Sequence, residues 1–294
     1  MRKILFLTIV LLLWSTACFS QERFKIGVLA RDGQVRALQM WQATAEYLTK
    51  DVEGKTFEIV PLDFPEVFPA VQNKTVDFFI VNSSMFMTAK VLYGAEALAT
   101  MVVSRHGTPS DAFGGVILTM AHRDDINTLD DLKGKSFIAV SNTSFGGWQM
   151  ALKELHDAGI DPEQDFSRFE FGGTHHNVVY SVQAGAFDAG TARTDTLERL
   201  EADGMIFIND FKVINQIKHD GFPFLCSTAL YPEWPIAGVQ DVQKEVSQAV
   251  VAALLRLKPG DKAAADANLV GWRAPLDYSP VQELQKLLGI GAYE

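Results

Sequence analysis

An apolar run, Phe137 to Val140, passes directly into Ser141-Asn142-Thr143-Ser144-Phe145-Gly146-Gly147 and then into residues with helical spacing. Hydroxyl side chains therefore meet a helix start, where unpaired backbone N–H groups and the positive end of the helix dipole face outward. With glycines allowing close approach, that combination suits an oxyanion, with Thr143 and Ser144 as first contacts and Ser141 beside them. Ser and Thr also cap helices routinely, so the loop alone leaves capping and ligand binding open. A second polar cluster stands in FGGTHHNVVYSV, from Phe171 onward, again at an expected strand end and helix start. His175 is placed there to donate to the same anion. Arg193, after the strand FDAGTA (187 to 192), either points toward it or is structural. Two further tips, Arg31-Asp32-Gly33-Gln34 and Asn82-Ser83-Ser84, precede helices. From them Ser83 and Ser84 offer hydroxyl or amide donors, and Arg31 a bidentate charge.

Other chemistries have less support. Adjacent His175 and His176 lack the i, i+4 spacing that puts two imidazoles on one helix face, and no Cys or carboxylate completes a set, so no metal is expected. Nor is a cofactor, since the chain has no phosphate-binding P-loop and no dinucleotide fingerprint. A GxSxG elbow is absent as well. An enzyme remains an alternative through Cys226 as nucleophile with His175 or His176. A lone cysteine in the apolar LCSTAL (225 to 230) reads more simply as a buried small hydrophobe. A protein-interaction domain with no small ligand is the third reading.

The elements that must position these residues alternate. FKIGVLA (24 to 30) is a strand, ALQMWQATAEYLTKDV (37 to 52) a helix and FEIVPL (57 to 62) a strand, followed by a short helix at 64 to 73 and the buried strand VDFFIVN (76 to 82). RHGTPSDAFGG (105 to 115) collects turn formers, and the chain is expected to change lobe there. A second series follows: strands at 116 to 120, 137 to 142, 169 to 173, 187 to 192 and 211 to 217, with helices at 145 to 158, 176 to 184 and 195 to 202. LCSTAL is expected to run extended beside 116 to 120 and carry the chain back. Amphipathic helices at 242 to 257 and 279 to 288 then pack on the first lobe. The expected division is 23 to 112 with 229 to 294 as one lobe and 113 to 228 as the other. The cleft between them lies at the carboxyl ends of the strands, where open α/β sheets bind ligands.

Composition narrows the partners. Formal net charge is −10 at pH 7, with 36 acidic against 26 basic residues and no Lys/Arg block, which argues against nucleic acid and anionic membrane. Arg2 and Lys3, the apolar run Ile4 to Trp14 and the small and polar residues through Ser20 have the layout of a secretion signal over 1 to 20, so a periplasmic protein is expected, soluble because that run is about half the ~20 residues that span a bilayer; a monomer is expected, though the sequence itself does not reveal oligomeric state. A cut before Cys18 that leaves a lipid anchor is the less favoured product. Of the two cysteines only Cys226 then remains, so stability must come from the core.

Five segments, IGVLARDGQVRALQMWQATAEYL (26 to 48), DFFIVNSSMF (77 to 86), GGVILTMAHRDDINTLDDLKGKSFIAVSNTSFGGW (114 to 148), FGGTHHNVVYSVQAGAFDAGTARTDTLE (171 to 198) and STALYPEWPIA (227 to 237), together resemble the phosphonate-binding type of periplasmic solute-binding protein. They are more similar still to the sensory domains in front of some bacterial histidine kinases. The resemblance implies a class II two-lobed α/β fold with two crossovers and a non-enzymatic protein that closes on a small anion. The partner it implies is the permease of an ABC importer or a histidine kinase. It maps the anion-holding hydroxyls to Thr143 and Ser144, the histidine to His175, and the first-lobe contact to the neighbourhood of Ser83. Where the phosphonate binders carry an aromatic residue this chain has Asn-Ser-Ser, a departure that weighs against phosphonate itself; the resemblance to the sensor domains, which are associated with sulfur oxyanions, implies tetrathionate or thiosulfate as further candidates beside phosphonate and phosphite. The chain is either a free-standing binding protein or a fragment of a longer sensor.

Overall fold

A computed structural model describes residues 21–105 and 107–294; the expected signal segment and Cys18 lie outside them. The chain opens with β1 (Glu22–Leu29), α1 (Gln34–Asp51) and β2 (Lys55–Leu62), the βαβ unit that the apolar spacing calls for. A tight turn at Phe64–Glu66 leads into α2 (Val67–Gln72), then β3 (Phe78–Ile80) and α3 (Ser83–Tyr93). The antiparallel pair β4 (Glu96–Arg105) and β5 (Thr108–Ser110) completes this stretch.

The chain then crosses into the second lobe through β6 (Ala112–Phe113) and enters β7 (Gly115–Met120), β8 (Ser136–Ala139), α4 (Met150–Asp157) and α5 (Pro162–Asp165). β9 (Arg168–Phe171), α6 (His175–Gln183), β10 (Ala189–Arg193), α7 (Thr196–Ala202) and β11 (Phe211–Ile214) finish that lobe. The return passes through β12 (Tyr231–Pro232), paired antiparallel with β6, so both crossovers form one two-stranded ribbon. It ends in β13 (Pro235–Gly238), α8 (Lys244–Leu254), α9 (Lys262–Asp266), β14 (Leu269–Arg273) and α10 (Ser279–Leu288).

Two sheets result. The first runs β14-β4-β13-β3-β1-β2 with β5 on β4; the second runs β11-β7-β10-β8-β9. In each, a parallel trio carries one antiparallel strand on its flank: β2-β1-β3 beside β13, and β9-β8-β10 beside β7. Near-continuous burial of Phe78, Phe79, Ile80 and Val81 fits a strand covered on both faces. The architecture is a two-lobed α/β fold.

The stretch 225–230 differs from its expected role. β11 takes the ladder position beside β7, and the chain at Ser227 and Thr228 is tied to the start of β7 largely by side chains. Ile117 N–H donates to Ser227 Oγ at 2.9 Å, and Gly115 N–H to Thr228 Oγ1 at 2.9 Å. Two serine/threonine hydroxyls in succession satisfy the strand end where a regular ladder stops.

Candidate functional site

The cleft lies where the carboxyl ends of both parallel trios face each other. From the first lobe, Leu29 and Arg31 follow β1, Phe64 follows β2 and Asn82 follows β3; Ser144, Phe145, Gly146, His175 and Arg193 come from the second lobe. Phe113 and Trp234, in and beside the ribbon, close the cavity, which is narrow. An adjoining narrow cavity shares Leu29, Arg31, Arg193 and Trp234 and continues to Met40, Trp41 and Met101.

The Ser141 to Ser144 loop is a turn, closed by Ser144 N–H donating to the Ser141 carbonyl at 3.1 Å and braced by Gln149 Nε2 on the Asn142 carbonyl at 2.8 Å. The helix then begins with one wide turn over Phe145–Gln149, in which Gln149 N–H reaches the Ser144 carbonyl five residues back. First-turn N–H groups have no intrahelical acceptor and the dipole is positive there. Both glycines are sterically required. A Cβ on Gly147 would lie 2.5 Å from Val140 Cγ2, 2.7 Å from Ser144 Oγ and 2.8 Å from His175 Cε1. One on Gly146 would meet Phe113 Cε2 at 3.0 Å and Arg193 Cβ at 3.2 Å.

His175 opens α6, whose cap is the Thr174 side chain accepting from Asn177 N–H. Its ring is buried, and Nδ1 accepts the Arg193 backbone N–H at 3.1 Å. The neutral ring's proton therefore sits on Nε2, which makes that atom a donor. Burial, and next the Arg31 guanidinium, bring its pKa down to about 3, so it donates without contributing charge.

Arg31 and Arg193 differ in what they have left to offer. The Arg31 guanidinium lies 5.1 Å over the Trp234 ring with Nε 3.2 Å from Asp32 Oδ2, and burial together with Arg193 and Arg199 lowers its pKa from the ordinary value. Arg193 is committed elsewhere: Nη2 donates to Glu233 Oε1, Nη1 to Glu233 Oε2 at 3.4 Å, and Nε lies 3.6 Å from Asp195 Oδ1. Glu233 has no solvent exposure. This buried pair joins the end of β10 to the returning crossover.

The seven residues singled out in the sequence fall into two groups. Arg31, Ser144, His175 and Arg193 line one cavity. Thr143, half-buried at its edge, offers its carbonyl to Asn82 Nδ2 at 3.1 Å, a hydrogen bond from lobe to lobe. Ser141 Oγ is buried with no partner. Ser83 is not in the lining; its hydroxyl donates to the Pro232 carbonyl, and Asn82 stands at the cleft instead. Asn82 also caps α3, accepting Met85 N–H at 2.9 Å, the role that an Asn before a helix signals. Glu233, which holds Arg193 from outside the lining, was not foreseen; Trp234, whose place in LYPEWP suggests core or hinge packing near the returning crossover rather than stacking on a ligand, lines the cavity.

Cys226 is fully buried, its thiol 3.2 Å from the Thr228 carbonyl and its pKa raised by burial, opposite to what an activated nucleophile needs. Among the described residues no helix is long and apolar enough to cross a membrane.

Comparison with known proteins bears on the family and the fold. Residues 26–278 match the family of ABC transporter, phosphonate, periplasmic substrate-binding proteins. The tetrathionate sensor histidine kinase TtrS of Salmonella typhimurium is 34% identical over 263 residues, covering 89% of this chain and 43% of that protein, so the chain spans less than half of this relative. Among solved structures, PhnD1 from Prochlorococcus marinus in complex with methylphosphonate superposes with a TM-score of 0.73 at 16% identity, covering 92% of this chain and 99% of that one. A binding protein component of an ABC phosphonate transporter from Pseudomonas aeruginosa also gives 0.73 at 16% identity, covering 91% and 86%. Family and fold are those of binding proteins, and the chain belongs to the family of periplasmic substrate-binding proteins of phosphonate ABC transporters.

Proposed function

We propose that this protein is an extracytoplasmic, non-enzymatic binding protein that closes on a small oxyanion and presents its closed form to a membrane partner, an ABC permease or a histidine kinase. One juxtaposition carries the reading: across a single cavity, the Arg31 guanidinium of the first lobe faces the Ser144–Phe145 helix start and the His175 donor of the second. A ligand held from both sides favours closure in proportion to how much better it binds the closed form. Ser144, His175, Arg31 and the loop at Ser141 and Thr143 make up the proposed anion site, and Asn82 replaces Ser83 as the first-lobe partner. The sensing role is favoured by the 34% identity to a histidine kinase named for tetrathionate.

The test is thermal unfolding of the purified protein with methanesulfonate, sulfate, thiosulfate, tetrathionate, phosphite and methylphosphonate. At 100 times its Kd a ligand of the folded state adds about 2.7 kcal/mol of stability. Saturable stabilisation by one or more of these anions, lost in Arg31→Met, is the expected result. No stabilisation across the series in a protein shown to be folded removes the oxyanion reading.

A further inference from the structure

The charges around the cavity nearly cancel. Arg193 is charge-paired with Glu233, to which each terminal nitrogen donates once, faces Asp195 through Nε, and lies with its guanidinium carbon 4.4 Å over the Phe113 ring. Arg199 faces the same Asp195 at 3.6 Å, and Arg31 is paired with Asp32 at 3.2 Å. Each guanidinium around the cleft is thus matched by a carboxylate. His175 supplies a donor and no cation, since its Nδ1 is an acceptor. Arg36, at the rim of the adjoining cavity, is exposed and screened by solvent.

Arg31 still offers its terminal N–H donors, but with Asp32 beside it the uncompensated positive potential left for an anion is that of two helix starts, at Phe145 and His175, each equivalent to roughly half a charge. Together they offset about one negative charge. The remaining wall includes the rings of Phe64, Phe113 and Phe145, and Trp234, whose buried Nε1–H is a neutral donor that adds no charge. Any surplus on the ligand is opposed by the nearby carboxylates, Asp32 in the wall of the adjoining cavity and Asp195 and Glu233 paired with Arg193.

We infer that the head pocket takes a singly charged oxyanion group of the sulfonate kind and discriminates against the doubly charged head of a phosphonate or phosphate. The inference rests on the oxyanion reading above and specifies its ligand class. At the short range of a closed cleft, with an effective dielectric of about 20, one uncompensated charge changes affinity by about tenfold or more.

Methanesulfonate and methylphosphonate are close in shape and differ in charge at about pH 9, where the phosphonate is largely a dianion. Isothermal titration of the purified protein at that pH is expected to give methanesulfonate an affinity at least about tenfold higher. Asp32→Asn removes one carboxylate at a partly exposed position and is expected to narrow the ratio several-fold. Glu233→Gln, if it folds, is expected to narrow it further by releasing Arg193. Equal or tighter binding of methylphosphonate by the unaltered protein overturns the inference while leaving the oxyanion reading intact, as does an unchanged ratio in Asp32→Asn. Binding of neither anion, together with an empty panel in the thermal series, removes both.

Discussion

Severing the Arg193–Glu233 pair tests whether the crossover is held by charge. In Glu233→Leu the guanidinium of Arg193, 4% exposed, keeps only Asp195 at 3.6 Å from Nε, and its two terminal nitrogens lose their acceptors. In Arg193→Met the carboxylate of Glu233 keeps the Trp234 N–H at 3.3 Å and is otherwise left charged in an interior with no solvent exposure. Removing one partner of a buried ion pair costs about 3–5 kcal/mol. For a chain of this size that lowers Tm by roughly 6–15 °C. The double variant, with neither charge present, is expected to regain most of the loss, because two apolar side chains of similar volume replace a desolvated pair at little net cost. Chemical denaturation of the four proteins gives the coupling energy directly. Single variants that each cost less than about 1 kcal/mol, or a double variant as unstable as the sum of the singles, would falsify the claim that the pair acts as a unit.

Three further outcomes follow from the same geometry. His175 stays neutral in the fold down to about pH 3, whereas the unfolded chain takes up a proton near the ordinary value of 6.5. Its contribution is therefore complete above about pH 6.5 and drains as pH falls, at up to about 1.4 kcal/mol per unit. The stability gap between the unaltered protein and His175→Gln should shrink by that amount per unit between about pH 6 and pH 4, and a constant gap refutes it. Asn82→Asp keeps the α3 cap but places an acceptor against the Thr143 carbonyl. Anion affinity should fall about fivefold to tenfold with Tm nearly unchanged, whereas Asn82→Ala should also lose about 1 kcal/mol of stability. Gly147→Ala puts a methyl group against Val140, Ser144 and His175 at once. Overpacking of about 1–3 kcal/mol is expected, with at least about tenfold weaker anion binding; wild-type titration curves would show that the helix start tolerates displacement.

Legibility of the fold tracks where local pattern is strong. The first βαβ unit, the helix starting after Ser144 and the helix at His175 all carry apolar periodicity broken by residues that cap or turn, and they stand within a few residues of their expected bounds. β4 and β13 were not read from the sequence. Glu96–Arg105 opens on Glu-Ala-Leu-Ala, and Pro235–Gly238 is Pro-Ile-Ala-Gly, local compositions that β-propensity disfavours; their place is set by neighbours distant in sequence. The same limit governs the site. Hydroxyls and a histidine at helix starts announce themselves, but the neutralisation of Arg193 depends on Glu233, 40 residues away, and no spacing rule links a strand end to a crossover.

The ribbon between the lobes also bears on how modular this protein is. Phe145, the first residue of the ligand-side helix, packs edge-on against Phe113 at 6.0 Å and Tyr231 at 4.9 Å. With Met150 it belongs to the same packed cluster as Trp234 and the first sheet. A second lobe transplanted between relatives with only one crossover would leave that phenyl ring without half its socket. The transferable piece is Ala112 through Pro232, both ribbon strands included, and recombination inside the ribbon breaks the seat on which the ligand helix is mounted.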